Sequence, residues 1–317
     1  QMAHAVGLDA PASAEGVAQA LAAQGYDVPA GVGATALADL RIAWPLSDYQ
    51  AALQALPQPL REALHAAWGA PETDPDFHQG AFRLAAVRRG NLLLALQPER
   101  SHRTDRDDDY HDLTRVPRHA YAAFYLWLAA QDPHALVHMG AHGTLEWLPG
   151  KAVALSGDCW PQALTGALPV IYPFIVNDPG EAAQAKRRIG AVTLGHLPPP
   201  MREAALPPGM AGLERLLDEY STADGLDPAR RDRLIAGIRD EARALGVEAD
   251  LGIPPDASAA EAITRIDRFV CDIKESQYGE GLHIWGSGAC GEAERAGLAA
   301  ALAGGFVAPG PSGSPNR

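Results

Sequence analysis

Ala135-Leu136-Val137-His138-Met139 runs directly into the turn Gly140-Ala141-His142-Gly143, and residues 169–176, PVIYPFIV, run into Asn177-Asp178-Pro179-Gly180. Both stretches are short, apolar and closed by turn residues, which predicts buried strands rather than amphipathic helices. Residues 181–188 follow the second turn as a helix, and Ala191-Val192-Thr193-Leu194 forms a third short strand stopped by His196-Leu197-Pro198-Pro199-Pro200. Strand, turn and helix in alternation predict an α/β fold with mainly parallel strands and helices in the central part. In such a sheet ligands bind beyond the carboxyl ends of the strands, where the loops and helix N-termini converge. Three strands deliver polar residues to that edge: His138, His142 and Glu146 from the first, Asn177, Asp178 and Glu181 from the second, and His196 from the third.

Working outward, residues 119–130, HAYAAFYLWLAA, are apolar on every side and predict a buried helix. Residues 90–96 predict a strand that delivers the charged segment 97–112, QPERSHRTDRDDDYHD. Before them, helical periodicity over residues 13–23, 47–56 and 60–68 is punctuated by Gly25, Pro57, Pro59 and Pro71. After them, residues 213–220, 228–245 and 259–273 are again helical, and residues 304–317 are a Gly/Pro/Ser-rich tail with no apolar face. The expected organisation is a mainly helical segment over 1–75, an α/β core over 76–205, a helical segment over 206–303 and the tail. The α/β centre is thus flanked by mainly helical segments.

The whole chain has 317 residues and a formal net charge of −13. That sign is wrong for a nucleic-acid partner, so an anionic ligand has to be met by a local basic cluster. Cys159, Cys271 and Cys290 are far apart and form no C-x-x-C pair, which argues for a reducing compartment and against a zinc-thiolate centre. No apolar run reaches the ~20 residues of a membrane helix, and the first residues lack a signal-peptide pattern. A cytoplasmic location with no membrane partner is expected.

The spacing His138-x3-His142-x3-Glu146 would put three metal ligands on one helical face, but Gly140 and Gly143 break any such helix. Imidazole and carboxylate groups at a strand end can bind a divalent cation or move protons. A histidine in a strand can equally be a packed core residue, and Glu146 can cap its own short helix. Lys186-Arg187-Arg188 closes a predicted helix, where cations offset the negative end of the dipole. The same residues, or Lys151, can meet ligand carboxylates. No Walker segment, dinucleotide glycine motif, H-E-x-x-H pair or nucleophile elbow occurs. Residue chemistry therefore reaches a metal or proton-transfer site for an acidic ligand.

At these same positions the sequence resembles the family of the cobaltochelatase large subunit and the magnesium chelatase H subunit. The resemblance is carried by residues 138–151, HMGAHGTLEWLPGK, residues 168–181, LPVIYPFIVNDPGE, residues 185–188, AKRR, and residues 196–199, HLPP. Flanking matches include Gln97-Pro98, Tyr110-His111-Asp112, residues 122–128, AAFYLWL, Asp218-Glu219-Tyr220, and residues 281–286, GLHIWG. Asp178-Pro179-Gly180-Glu181 stands where the magnesium enzymes tend to carry Asn-Pro-Ser-Glu, which favours the cobalt branch.

The resemblance implies part of the tetrapyrrole-binding subunit of an ATP-dependent cobaltochelatase. Its reaction would insert Co²⁺ into a corrin ring of the hydrogenobyrinic acid a,c-diamide type during cobalamin biosynthesis. ATP and Mg²⁺ would be used by AAA+ partner subunits, and this chain alone would be inactive. Family members are several times longer, so the resemblance also implies a fragment or a split form. His138, His142 and Glu146 are the implied proton acceptors and metal ligands. His111, Lys151, Asn177, Glu181, Lys186, Arg187 and His196 are the implied substrate contacts. The rival readings are a non-catalytic tetrapyrrole carrier, a magnesium chelatase H-type subunit, and a metal-dependent hydrolase unrelated to tetrapyrroles.

Overall fold

The computed structural model describes residues 8–101, 112–140, 143–175, 179–196, 210–223, 227–254, 256–276 and 284–286. At its centre lies the helix His119–Ala130, whose first ten residues are all buried. A helix with no polar face must be surrounded, and Trp44, Tyr49, Leu64, Phe82, Leu145, Leu148, Trp160 and Tyr172 join it in one core. Its entry is fixed from a distance. Asp74 accepts the Ala120 N–H at 2.9 Å and pairs with the buried Arg118 at 2.5 Å, so a residue 46 positions away supplies the missing cap. His119 donates from Nε2 to the Gly69 carbonyl at 3.0 Å, and its Nδ1 meets the Tyr49 hydroxyl at 2.7 Å.

Beside this helix stands a three-stranded parallel sheet of β6 (Leu136–Val137), β7 (Val170–Ile175) and β8 (Val192–His196), in the order β6-β7-β8. Val137 pairs with Ile171 and Ile171 with Val192, which places the three in one row across the sheet. Side chains alternate between faces along a strand, so Tyr172 projects to the opposite face, where it is fully buried. Val137, Val192 and Leu194 remain 40%, 59% and 38% exposed. The mixed α/β expectation with parallel central strands is met here.

Two smaller antiparallel sheets precede it. Strands β1 (Ile42–Pro45), β2 (Phe77–His78) and β3 (Ala81–Leu84) are ordered β1-β3-β2, and β4 (Ala86–Arg89) pairs with β5 (Leu92–Ala95) as a hairpin. The expected strand at 90–96 is therefore the second arm of a hairpin and not a member of the parallel sheet. The pairing of β1 with β3 also crosses the border drawn at residue 75.

A second core is built from the helices Met210–Ala223, Pro228–Ala244 and Ala259–Ser276. Met210, Leu213, Leu217 and Tyr220 recur at spacings of three and four and are buried, as an amphipathic helix requires. The helix Pro179–Arg188 joins the two cores. A Cβ on Gly180 would stand 2.8 Å from Ser221 Cβ and 3.0 Å from the Asp218 carbonyl oxygen, so only glycine lets it approach Met210–Ala223 this closely.

Candidate functional site

The chain leaves β6 at His138, whose N–H still donates to the Ile171 carbonyl at 2.8 Å. Gly140 then turns it at a φ of +140°, where side chains are strained. The segment closes in a single 3-10 turn, Leu145–Trp147. A continuous helix through His138 and Glu146 does not form, in line with the two glycines.

The turn nevertheless brings the two residues together. A Cβ on Gly143 would lie 2.7 Å from His138 Cε1 and 2.9 and 3.0 Å from the two carboxyl oxygens of Glu146. Glycine is the residue that leaves room for an imidazole and a carboxylate to converge on one point. Tyr172 completes the group from β7. Its ring stacks on His138 with centroids 4.6 Å apart, and its hydroxyl accepts the Gly143 N–H at 3.0 Å. The same hydroxyl stands 3.5 Å from Glu146 Oε1, as a long donated hydrogen bond.

Glu146 is fully buried. Loss of water around His138 lowers its pKa from 6.5 to about 4, so its imidazole stays neutral near pH 7, resists protonation and keeps a lone pair that a metal could use. The far wall is polar. Tyr125 donates to Gln97 Oε1 at 2.6 Å, Gln97 Nε2 donates to Thr144 Oγ at 2.6 Å, and the Tyr121 hydroxyl meets the same Thr144 oxygen at 3.0 Å. Burial holds both tyrosines well above the usual phenol pKa, and the charge of Glu146 pushes the same way.

Two buried arginines fix the segment that carries Glu146. Arg188 donates from Nη1 to the Glu146 carbonyl at 2.8 Å, from Nη2 to Leu148 at 2.7 Å and from Nε to Lys151 at 3.2 Å. Arg100 donates to the Trp147 carbonyl at 3.0 Å and to that of Asp112 at 2.8 Å. Sequence reasoning missed Arg100 and Tyr172, and read Arg188 as a helix-end cation or ligand contact where it instead holds main-chain carbonyls. The one available signal was Tyr172, a hydroxyl-bearing residue inside an otherwise apolar strand.

Of the other expected contacts, Lys151 and Lys186 are exposed. Arg187 donates to the Thr222 carbonyl at 2.9 Å and so is already engaged in joining two helices. Glu181 lies in the first turn of Pro179–Arg188 and His196 is the last residue of β8, but their side chains are outside the described set. His111, His142 and Asn177 lie outside the described residues altogether. Among the described residues no three His, Cys, Asp or Glu side chains gather around one metal position. No helix described is long and apolar enough to cross a membrane.

The arrangement defines a class: an α/β protein that buries a carboxylate beside a neutral imidazole at the end of a parallel sheet. The chain belongs to the CobN/magnesium chelatase family, whose model matches residues 1–293. It is 43% identical over 303 residues to the aerobic cobaltochelatase subunit CobN of a Sinorhizobium species, covering 90% of this chain and 24% of that protein. It is 32% identical over 204 residues to the H subunit of magnesium chelatase from Chlorobaculum parvum, covering 64% of this chain and 16% of that one. Among solved structures it resembles the catalytic subunit of cobaltochelatase from Mycobacterium tuberculosis. The TM-score is 0.58 and the identity 37%, over 91% of this chain and 27% of that chain. The chain thus spans about a quarter of the length of the cobaltochelatase relatives it matches.

Proposed function

We propose that this chain carries the proton-accepting and metal-relay site of a cobaltochelatase subunit that inserts Co²⁺ into a corrin ring. The observation that carries the reading is the convergence of His138 and Glu146 on Gly143, inside the stretch 138–151 that carries the family resemblance. The cobalt branch is favoured because likeness to the CobN subunit covers 90% of the chain at 43% identity, against 64% at 32% for the magnesium enzyme.

Metal insertion replaces ring N–H protons with metal–nitrogen bonds, so each displaced proton needs an acceptor near the ring centre. Glu146 takes that role, with the neutral His138 beside it as a weak ligand. A site of one imidazole and one carboxylate, with His142 adjacent in sequence, holds Co²⁺ loosely enough to release it to the ring. Lys151 and Lys186, as exposed cations, meet the carboxylates of the corrin periphery, with His111, Asn177, Glu181 and His196 as further contacts, while Arg187, engaged with the Thr222 carbonyl, serves the fold instead. ATP hydrolysis is assigned to AAA+ partner subunits, as the resemblance to the chelatase family implies, and this chain's part is to hold the tetrapyrrole and the metal. The protein works in the cytoplasm, where those partners and the reduced cysteines are at home.

Two measurements test this. Absorbance titration with a corrinoid asks whether the protein binds a tetrapyrrole at all, and an absence of binding removes the whole reading. Cobalt insertion by the full-length protein with its AAA+ partners separates an enzyme from a carrier: binding without insertion leaves only the carrier. The same assay with Mg²⁺ and a porphyrin tests the magnesium branch.

A further inference from the structure

We propose that Tyr172 is the positioning residue of this site, setting the Glu146 carboxyl and the His138 ring in register through its hydroxyl and its ring respectively. The inference rests on the site reading above and adds a residue to which that reading gives no role. Three contacts carry it. The Tyr172 hydroxyl accepts the Gly143 N–H at 3.0 Å, the same hydroxyl points at Glu146 Oε1 at 3.5 Å, and the ring lies against His138 at 4.6 Å and 27°. One side chain therefore touches the turn, the acid and the imidazole.

Tyr172 is anchored independently of the turn. It sits in the middle strand of the parallel sheet, paired with Thr193 of β8, and is fully buried. Glu146 and His138, by contrast, flank a glycine turn. A hydroxyl has one proton to give and two lone pairs, and the Gly143 N–H occupies one lone pair. The proton can then face the carboxyl oxygen. A contact of 3.5 Å is long for O–H···O, and such contacts in catalytic sites are often long in the free protein and tighten once substrate is bound. The groups facing Glu146 from its neighbours are His138, Tyr172, and Tyr121 and Tyr125 of the central helix, while the charge of Arg100 acts on Tyr121.

The test is made in the full-length protein with its AAA+ partners, and Glu146→Gln is assayed alongside. Tyr172→Phe keeps the ring and removes the hydroxyl. Maximal insertion rate should fall about tenfold, the value of one net hydrogen bond, with the KM for Co²⁺ and the corrinoid affinity unchanged. The ring-current shift of the His138 protons should persist in Tyr172→Phe and vanish in Tyr172→Leu. Placing 4-aminophenylalanine at position 172 returns an N–H donor and should restore much of the rate. Insertion by Tyr172→Phe at the parent rate while Glu146→Gln is inactive sinks the positioning role alone. Parent-rate insertion by Glu146→Gln sinks the site reading first. A rate loss that tracks a lowered thermal midpoint, and that 4-aminophenylalanine does not restore, makes Tyr172 merely structural.

Discussion

Arg188 reaches from the last turn of one helix to the main chain of Glu146, its Nη1 donating to the Glu146 carbonyl at 2.8 Å. The residue that carries the acid is thus held through its backbone, and this grip does not occupy the carboxyl. Because two further carbonyls share the same guanidinium, shortening Arg188 to Met strands three acceptors at once. The expected cost is on the order of 3 kcal/mol in stability. Arg188→Lys should recover little, since an ammonium cannot span the three positions. Urea denaturation of both variants decides; a midpoint like the parent's would mean the segment is held elsewhere.

Glu146→Gln removes the buried carboxylate while keeping the size of the side chain, and His142→Ala removes a candidate acceptor from the same stretch of sequence. In the full-length protein with its partners, each should keep corrinoid binding and its thermal midpoint while insertion drops by about 100-fold to 10,000-fold. If neither loses rate, the acceptor role passes to Glu181 and His196. If both unfold, these side chains are structural.

Gly143→Ala places a methyl group within 3.0 Å of His138 and of both Glu146 oxygens. Glu146 is buried and His138 partly so, and both must shift, so the variant should lose about 1–3 kcal/mol of stability and most of its insertion activity. An active Gly143→Ala with an unchanged melting temperature would show that the convergence at Gly143 is unimportant.

Acid should destabilise the fold through its histidines. Loss of hydration lowers the pKa of His119, against opposing contributions from the Gly69 carbonyl and Asp74, and loss of hydration also takes His138 down to about 4. The unfolded chain therefore binds protons that the folded chain refuses. The stability these groups contribute is complete above their unfolded value, near 6.5, and is lost as pH falls toward about 4. Denaturation at pH 7.5 and pH 5 measures the difference, which should be smaller in His119→Gln, a variant that carries no ionisable ring.

Lys186 and Arg187 separate under mutation. Lys186→Gln should weaken corrinoid binding more at low salt than at high, as expected for an exposed cation meeting a carboxylate. Arg187→Gln should instead cost mainly stability, because its guanidinium already serves the Thr222 carbonyl. Equal affinity of Lys186→Gln and parent at low ionic strength would return Lys186 to the helix end.

What could be read from residues alone divides along a physical line. The helix His119–Ala130 and the strands β6, β7 and β8 were legible because their apolar runs and turn residues are local. The glycine break between His138 and Glu146 was legible for the same reason. The strands from Ile42 to Ala95 were not foreseen as antiparallel sheets, since each has four residues or fewer and pairing depends on partners elsewhere. Arg188 looked like one of three helix-end cations; that it turns inward toward carbonyls about 40 residues earlier depends on the packing of Pro179–Arg188 and not on its spacing.

The row of Val137, Ile171 and Val192, with Leu194 beside it, bears on how the polypeptide behaves at high concentration. Apolar sheet surface left facing water attracts other copies, and a net charge of −13 opposes that attraction by mutual repulsion. The balance is colloidal, and electrolyte tips it: between about 0.1 M and 1 M salt the screening length falls from about 10 Å to about 3 Å. Light scattering should therefore climb with added salt well below any salting-out point. Val192→Lys combined with Leu194→Thr should keep the solution clear over the same range without disturbing the Tyr172 face of the sheet. A parent protein that stays monodisperse at 1 M salt would show that this row is not sticky.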